Sequence, residues 1–249
     1  MIAFIHDGSF EGFLTSIYEA YYSHKKPDEI FSEFSYEGEL FYEAINIVTN
    51  EEKHEKVYKA IKEKIGTQAM YNIYYCFLCG DKYSHSAAYK YIKLGFKIGK
   101  DIDLHLHNPI VLSVINCVQK VQREKHRMLG FVRFKDVKRD LFYASIEPDH
   151  NILSLLGNHF SERLPKDRWI IHDLKRNIAI IHKDGEWVLC NLYGTEEPVD
   201  NSKDEDIYEK LWKQYFVSTT IKERTNYRLQ KHHMPKRYWK HLIETKTNI

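Results

Sequence analysis

The stretch LFYASIEPDHNILSLLGNHFSERLPKDRWIIHDLKRNIAIIHKDGEWVLCN, residues 141–191, decides the fold. It contains four apolar runs typical of β-strands, LFYASIE, RWIIHDL, NIAIIHK and EWVLCN, and a fifth run, GFVRF, precedes them at residues 130–134. The connections at Lys175–Asn177 and at Asp184-Gly185 are short, which favours antiparallel neighbours. Residues 130–191 therefore predict a five-stranded, mostly antiparallel sheet, with a helix between its second and third strands.

The sequence before this sheet has helical periodicity. From Asn50 to about Arg127 the apolar residues recur at helical spacing, and Asn108-Pro109 is a cap followed by a proline at the first helical position. We therefore predict an α+β chain in two parts. Residues 1–127 form a mainly helical N-terminal part, and residues 128–249 form an α+β part with flanking helices and a basic, aromatic terminal segment.

Composition indicates a globular chain of the cytoplasm. Hydrophobic residues make up 43% of the 249 residues, which is enough for a substantial core. Asp7 interrupts the short apolar start, so it does not have the pattern of a secretory signal, and no apolar run approaches the length of a membrane span. We expect a cytoplasmic protein whose four cysteines are thiols.

The positive charge is concentrated in two distant segments. The net charge is only +2, but residues 118–139 carry eight Lys and Arg against two acids, and residues 222–241 carry seven against one. Such clustering is typical of a surface that binds a polyanion.

The second basic segment lies in ERTNYRLQKHHMPKRYWKHLIE, residues 223–244, which mixes cations with amides and aromatic rings. Arginine holds phosphate with two parallel hydrogen bonds, amides contact base edges or sugars, and aromatic rings stack on unpaired bases. The predicted nucleic-acid-binding residues are Arg127, Arg133, Arg224, Asn226, Gln230, Arg237, Tyr238 and Trp239. Two alternatives stay open: the segment is an ordinary solvated basic helix, or its arginines pair with carboxylates of the protein itself.

Evidence for catalysis or for a metal is weaker in the sequence. Cys76 and Cys79 form a CxxC motif, but a second such pair is missing and the surrounding residues are apolar, which favours a place in the core. His105 and His107 lack a further ligand nearby in sequence, so we predict no metal and no cofactor. The candidate acid–base groups are Asp7, Glu11, His150 and Asp173.

Several of these motifs resemble those of a bacterial family labelled "probable DNA metabolism protein". The resemblance is carried, in order along the chain, by DGSFEGFLTSIYEAY, RMLGFVRF, IEPDHNILSLLGNHFSERLPKDRWIIHD and ERTNYRLQKHHMPKRYWKHLIE. Members of that family are typically encoded beside a radical SAM protein of DNA repair or modification. The C-terminal part also resembles a domain of unknown function that is attached to some proteins of the uracil-DNA glycosylase superfamily.

Three hypotheses follow. The resemblance and the basic segments together suggest a protein that binds DNA, in single-stranded or distorted form, and acts with a radical SAM or glycosylase-type enzyme. The second hypothesis is an enzyme that acts on a nucleotide or a DNA base by acid–base chemistry. The third is a protein-interaction module that does not contact nucleic acid.

Overall fold

The computed structural model describes residues 1–38, 40–138, 141–192 and 226–245, and otherwise only residues 211–212, 214–215 and 218–220. The chain divides into two units, Met1–Gln122 and Arg123–Ile249. The long helix that carries Gln122 and Arg123 contributes to both. None of the helices in the described residues combines the length and the apolar character needed to cross a membrane.

The first unit contains a small parallel sheet and five helices. Its elements are β1 (Ile2–His6), α1 (Phe10–Tyr22), β2 (Glu29–Ser32), β3 (Glu43–Asn46), α2 (Glu51–Lys64), α3 (Thr67–Phe77), α4 (Ser84–Ile98), a 3₁₀ turn (Ile102–Leu104) and most of α5 (Pro109–Phe131). The sheet has the order β2-β1-β3, so β1 is central and parallel to both neighbours. The helical character of this unit was predicted from the sequence, whereas the two outer strands, β2 and β3, were not.

A buried histidine, His6, and a half-buried one, His85, join β1 to α4 in this unit. His6 accepts a hydrogen bond from the Gly8 N–H, and its Nε2 lies 3.1 Å from Nδ1 of His85. His85 in turn places its Nε2 3.0 Å from the carbonyl oxygen of Phe77. Burial, reinforced for His6 by the neighbouring His85, lowers the pKa of His6 to about 3, and burial lowers the pKa of His85 to about 4. Both rings are therefore neutral at physiological pH.

The second unit is built on a five-stranded sheet in the order β4-β5-β6-β7-β8. Its elements are β4 (Lys135–Lys138), β5 (Leu141–Ile146), α6 (Leu153–Arg163), β6 (Arg168–Asp173), β7 (Ile178–Lys183), β8 (Glu186–Asn191), α7 (Tyr227–His233) and two 3₁₀ segments (Lys236–His241 and Ile243–Thr245). Only the β5–β6 pair is parallel, and it is connected through α6; the other three pairs are antiparallel. The prediction of an α+β fold with such a sheet is confirmed.

The first predicted strand is displaced. GFVRF was expected to be extended from Gly130, but α5 continues through Phe131 and β4 begins at Lys135. A single glycine costs a helix only about 1 kcal/mol relative to alanine, and tertiary contacts readily outweigh that. Here the buried side chain of Met128, one turn from the helix end, is among those contacts.

One face of the sheet, which carries Trp169, packs against α6. Tyr143 and Ser145 lie on the other face. Trp169 on β6 is fully buried and stacks on His182 of β7, with ring centroids 4.7 Å apart. Phe160 of α6 meets the edge of Trp169. Gly157 gives the helix its close approach to β8, because a Cβ atom there would lie 2.5 Å from the ring of Trp187. This packing fixes the sheet on which the candidate site is built.

Candidate nucleic-acid interface

The two basic segments of the sequence meet in the second unit. The hydroxyl of Tyr238, in the terminal segment, donates a short hydrogen bond to the carboxylate of Glu124 on α5, 114 residues earlier in the chain. Both side chains are buried, with exposed fractions of 3% for Glu124 and 1% for Tyr238. Burial and the hydrogen bond to Glu124 raise the pKa of Tyr238, so its hydroxyl keeps its proton.

Glu124 also holds the loop that follows β5. One carboxylate oxygen accepts the N–H of Asp149 at 2.8 Å, and the other accepts the N–H of His150 at 2.7 Å. A buried carboxylate is costly unless hydrogen bonds replace its hydration, and here three donors do so. The same loop is held on its carbonyl side by Arg176, which donates to the carbonyl oxygens of Pro148 and Asp149. Glu124 is thus the common anchor of α5, the loop and the terminal segment.

Arg237 lies at the edge of this anchor. It donates a hydrogen bond to the Tyr238 hydroxyl at 2.9 Å and forms an ion pair with Asp149 at 2.8 Å. Its guanidinium group lies 4.6 Å from the centre of the Tyr238 ring. About half of the side chain remains exposed, at 49%. Arg237 therefore pairs with a carboxylate of the protein itself, as one of the alternatives to nucleic-acid binding proposed, while about half of its side chain stays exposed.

Further cations surround this edge. Arg127 on α5 donates to the carbonyl oxygen of His232 at the end of α7, at 3.4 Å, which brings the two basic segments into direct contact a second time. Arg228, Lys231 and Lys236 are exposed, and no carboxylate of the described residues lies within ion-pair distance of them. We refer to the following set as the basic surface: Arg127, Arg228, Lys231, Lys236 and Arg237.

The remaining predicted binding residues have structural contacts. Asn226 caps α7 by accepting the Leu229 N–H, so its side-chain oxygen is not available to a base. Trp239 is half-buried and donates its indole N–H to the carbonyl oxygen of Met234. Arg133 donates to the carbonyl oxygen of Gly130 at 2.6 Å and lies 5.6 Å from the centre of the Trp212 ring. Gln230 is half-buried on α7, and Arg224 lies outside the described residues.

Tyr238 differs most from its predicted role. It was expected to stack on a base, but its ring is buried and not accessible in this structure. The neighbouring Tyr227, which the sequence analysis passed over, is the exposed aromatic side chain of α7, with an exposed fraction of 58%. Its place four residues before Lys231 on one helix puts the ring and that cation on the same face, and this spacing could have identified it.

The candidate acid–base residues are divided between the two units. Asp7, at the end of β1, accepts hydrogen bonds from Ser9 and Thr49. Partial burial alone would raise the pKa of Asp7, but these hydrogen bonds lower it below its ordinary value. Glu11 lies exposed in the first turn of α1, in the same unit.

The other two candidates belong to the second unit. Asp173 is buried at the end of β6, where its carboxylate accepts the N–H groups of Lys175 and Arg176 and pairs with the Arg176 guanidinium at 2.8 Å. His150 is buried in the loop held by Glu124. The contacts of Asp173 are those of a residue that stabilises a turn.

A polar cluster that the sequence analysis did not predict lies beside β5. Ser145 Oγ is 3.3 Å from Nδ1 of His241, and Nε2 of His241 is 3.5 Å from a carboxylate oxygen of Glu147. On the same face of the sheet, the Tyr143 hydroxyl lies 2.9 Å from Nδ1 of His172. Tyr143 and Ser145 alternate along β5, which places them on one side of the sheet, and Glu147 directly follows the strand. His241 comes from the terminal segment, so sequence spacing could not join it to them.

The predicted cysteine and histidine pairs lie in the first unit. Cys76 and Cys79 are buried at the end of α3, as expected for core residues. His105 and His107 lie in the connection before α5, with ring centroids 5.7 Å apart. Neither observation bears on nucleic-acid binding.

One family model matches the chain. It covers residues 82–244, which is well over half of the chain, and its description is a domain of unknown function (DUF4130). The matched range includes both basic segments, Glu124 and the whole five-stranded sheet. None of the curated proteins compared with the chain matches it.

Proposed function

We propose that this chain, which belongs to the DUF4130 family, is a DNA-binding protein of DNA repair or modification that uses its basic surface to hold a DNA strand. The observation that carries this proposal is the contact between the two basic segments, through Tyr238 with Glu124 and Arg127 with His232. Cations more than 100 residues apart in sequence are thereby collected on one part of the molecule. Such a cluster attracts a sugar–phosphate backbone, because phosphate neutralisation releases condensed counterions.

The aromatic side chains favour unpaired DNA. Tyr227 is exposed beside Arg228, and Trp239 is half-buried beside Lys236, whose amine lies 5.9 Å from the centre of the indole ring. Stacking of a base on an aromatic side chain contributes about 1–3 kcal/mol and requires a base whose face is open. We therefore expect single-stranded or locally distorted DNA to bind more tightly than an intact duplex.

Salt dependence tests this binding. We expect the affinity of the purified chain for a labelled single-stranded oligonucleotide, measured by fluorescence anisotropy, to fall steeply as salt rises. The Arg228→Ala/Lys231→Ala variant removes two exposed cations of α7. If each contacts one phosphate, the slope of log K against log salt should become shallower by about 1.4 for a single strand.

The matched control removes the same charge elsewhere. Lys93→Ala/Lys97→Ala changes two exposed lysines, four residues apart on α4 of the first unit, and should leave both affinity and slope close to those of the wild type. Equal losses in the two variants would show that net charge, rather than the basic surface, governs binding. An unchanged slope in the α7 variant would refute the proposed surface.

The partner enzyme is a further part of the proposal. The resemblance to proteins encoded beside a radical SAM protein suggests that the catalyst is a separate radical SAM or glycosylase-type enzyme, to which this chain presents DNA. Affinity purification from cells, with and without nuclease, tests this. We expect DNA in the untreated eluate. A partner protein that survives nuclease, together with no nucleic acid in either eluate, would favour the interaction module without nucleic-acid contact.

The cluster beside β5 supports a second candidate function, that of an enzyme acting on a nucleotide or DNA base. An imidazole beside a hydroxyl, as in His241 and Ser145, can activate the hydroxyl or a water molecule by accepting its proton, and the Glu147 carboxylate lies near the other imidazole nitrogen. Incubation of the purified chain with damaged and undamaged oligonucleotides, followed by mass spectrometry, tests it. Any product should disappear with Ser145→Ala and with His241→Gln. A product that both variants still form would exclude this cluster.

A further inference from the structure

Two sulfur atoms and a carboxylate converge in the first unit, and a third sulfur atom lies beside them. Cys76 and Cys79 lie at the end of α3, Cys117 lies on α5, and Asp81 follows Cys79 by two residues. One ligand atom from each of Cys79, Asp81 and Cys117 lies within 4.8 Å of the others. All four cysteines of the chain are thiols in this structure.

Cys76 completes the group. Its thiol interacts with that of Cys117, which itself belongs to the group of Cys79, Asp81 and Cys117. The Cys76 thiol donates to the carbonyl oxygen of Ser84 at 3.4 Å. In a tetrahedral zinc site with Zn–S bonds of about 2.3 Å, neighbouring sulfur atoms are about 3.8 Å apart. The ligand atoms of Cys79, Asp81 and Cys117, all within 4.8 Å of one another, are at most about 1 Å further apart than this.

We propose that Cys79, Cys117 and Asp81 bind one Zn²⁺ ion, and that Cys76, whose thiol lies beside that of Cys117, turns from the Ser84 carbonyl oxygen to become the fourth ligand. Thiolate ligands in tetrahedral geometry select zinc among the common divalent cations, and a pair with the spacing C-x₂-C is a frequent half of such sites. Each cysteine that binds the ion releases its thiol proton to water. The CxxC motif, assigned to the core by its apolar surroundings, gains its third sulfur from α5, about 40 residues later in the chain.

The surroundings of Asp81 suit a ligand rather than a core residue. Asp81 has an exposed fraction of 45%, so an ion can reach the buried thiols from the solvent through this carboxylate. Three thiolates, one carboxylate and Zn²⁺ carry a net charge of −2. Lys120 lies 2.6 Å from a carboxylate oxygen of Asp81, where its positive charge offsets part of that excess and orients the carboxylate.

Cobalt titration of the full chain tests the site. Co²⁺ replaces zinc in tetrahedral thiolate sites and absorbs visibly there. The metal-stripped protein, kept reduced with a phosphine, should bind one equivalent of Co²⁺ with intense thiolate-to-cobalt charge transfer, and one equivalent of Zn²⁺ should abolish the spectrum. Binding without thiolate charge transfer, or no binding at all, would overturn the proposal.

Matched variants separate the site from general effects. Cys117→Ser should eliminate the charge-transfer spectrum, whereas Cys190→Ser, in the second unit, should preserve it. Because Cys117 is buried, its variant is to be checked for folding by circular dichroism. Asp81→Asn changes an exposed side chain and should lower the zinc affinity at least tenfold, while Asp101→Asn, another exposed carboxylate of this unit, should leave it unchanged. Equal affinities for the two aspartate variants, or loss of the spectrum in Cys190→Ser, would refute the assignment.

Discussion

Removing one acceptor from Glu124 should destabilise the whole second unit. In Glu124→Gln the amide oxygen still accepts hydrogen bonds, but the amide nitrogen is a donor and faces the N–H of Asp149 or His150. In Tyr238→Phe the carboxylate keeps both backbone donors and loses only the hydroxyl. The two variants therefore remove different numbers of contacts from the same buried group.

The magnitudes follow from these contacts. A hydrogen bond to a charged group contributes about 1.5–3 kcal/mol, which is the expected loss in Tyr238→Phe. Glu124→Gln loses one such bond and also leaves a buried N–H without an acceptor, so we expect about 3–5 kcal/mol. The loss of stability in the double variant should be about 1–2 kcal/mol smaller than the sum of the two single losses. The reason is that the Tyr238 hydroxyl contributes less stability once its acceptor is neutral.

Tryptophan fluorescence during urea unfolding measures these losses. All four tryptophans, Trp169, Trp187, Trp212 and Trp239, belong to the second unit, so the signal reports on that unit alone. Two control variants on exposed side chains of the same unit, Glu162→Gln and Tyr227→Phe, should each change the free energy of unfolding by less than about 0.5 kcal/mol. A coupling energy below about 0.5 kcal/mol in the Glu124–Tyr238 cycle would refute the role of Glu124 as the anchor.

Two other predictions concern buried groups. Since the pKa values of His6 and His85 lie near 3 and 4 when folded and near 6.5 when unfolded, the unfolded chain binds more protons below pH 6.5. The free energy of unfolding of the first unit should therefore fall by about 2 kcal/mol per histidine between pH 7 and pH 5, as measured by urea unfolding followed by circular dichroism, and a flat profile would contradict the buried pair. In the second unit, Gly157→Ala forces a Cβ atom against the Trp187 ring and should cost about 1–3 kcal/mol, whereas Gly130→Ala, with no described atom within 4 Å, should be neutral or stabilising. Equal effects of the two glycine variants on the urea midpoint would show that helix propensity, and not contact with the ring, decides the outcome.

The strands were predictable where local pattern and burial agree. The runs at Leu141, Arg168, Ile178 and Glu186 all begin strands of the sheet, because each is apolar or alternating and is bounded by a turn. The parallel pairing of β5 with β6 depends on the crossover through α6 rather than on either strand's own residues. The strands β2 and β3 have only four residues each, and too short a run carries too little periodicity to be recognised.

The positive charge of the candidate site was predictable from the sequence, but the contacts that hold the site together were not. The sequence locates both basic segments, and Arg127 and Arg237 lie where they meet. Glu124 could not be singled out, because an acid among cations in QREKHR usually lies in solvent, and only the fold shows that it is buried. Tyr238 and Trp239 are adjacent in sequence, yet their environments differ. Tyr238 is buried beneath the basic surface, whereas Trp239 is partly exposed to solvent.

The pairing of Glu124 with Tyr238 also bears on how the protein is made. While the ribosome is still translating the sheet, Tyr238 and the cations of α7 have not been synthesised. The carboxylate of Glu124 therefore lacks the hydroxyl from which it accepts a hydrogen bond in the folded protein. A nascent chain therefore passes through most of its synthesis without four of the five cations of the basic surface. Under the proposed function, fragments that end before residue 226 should therefore bind nucleic acid more weakly than the full chain.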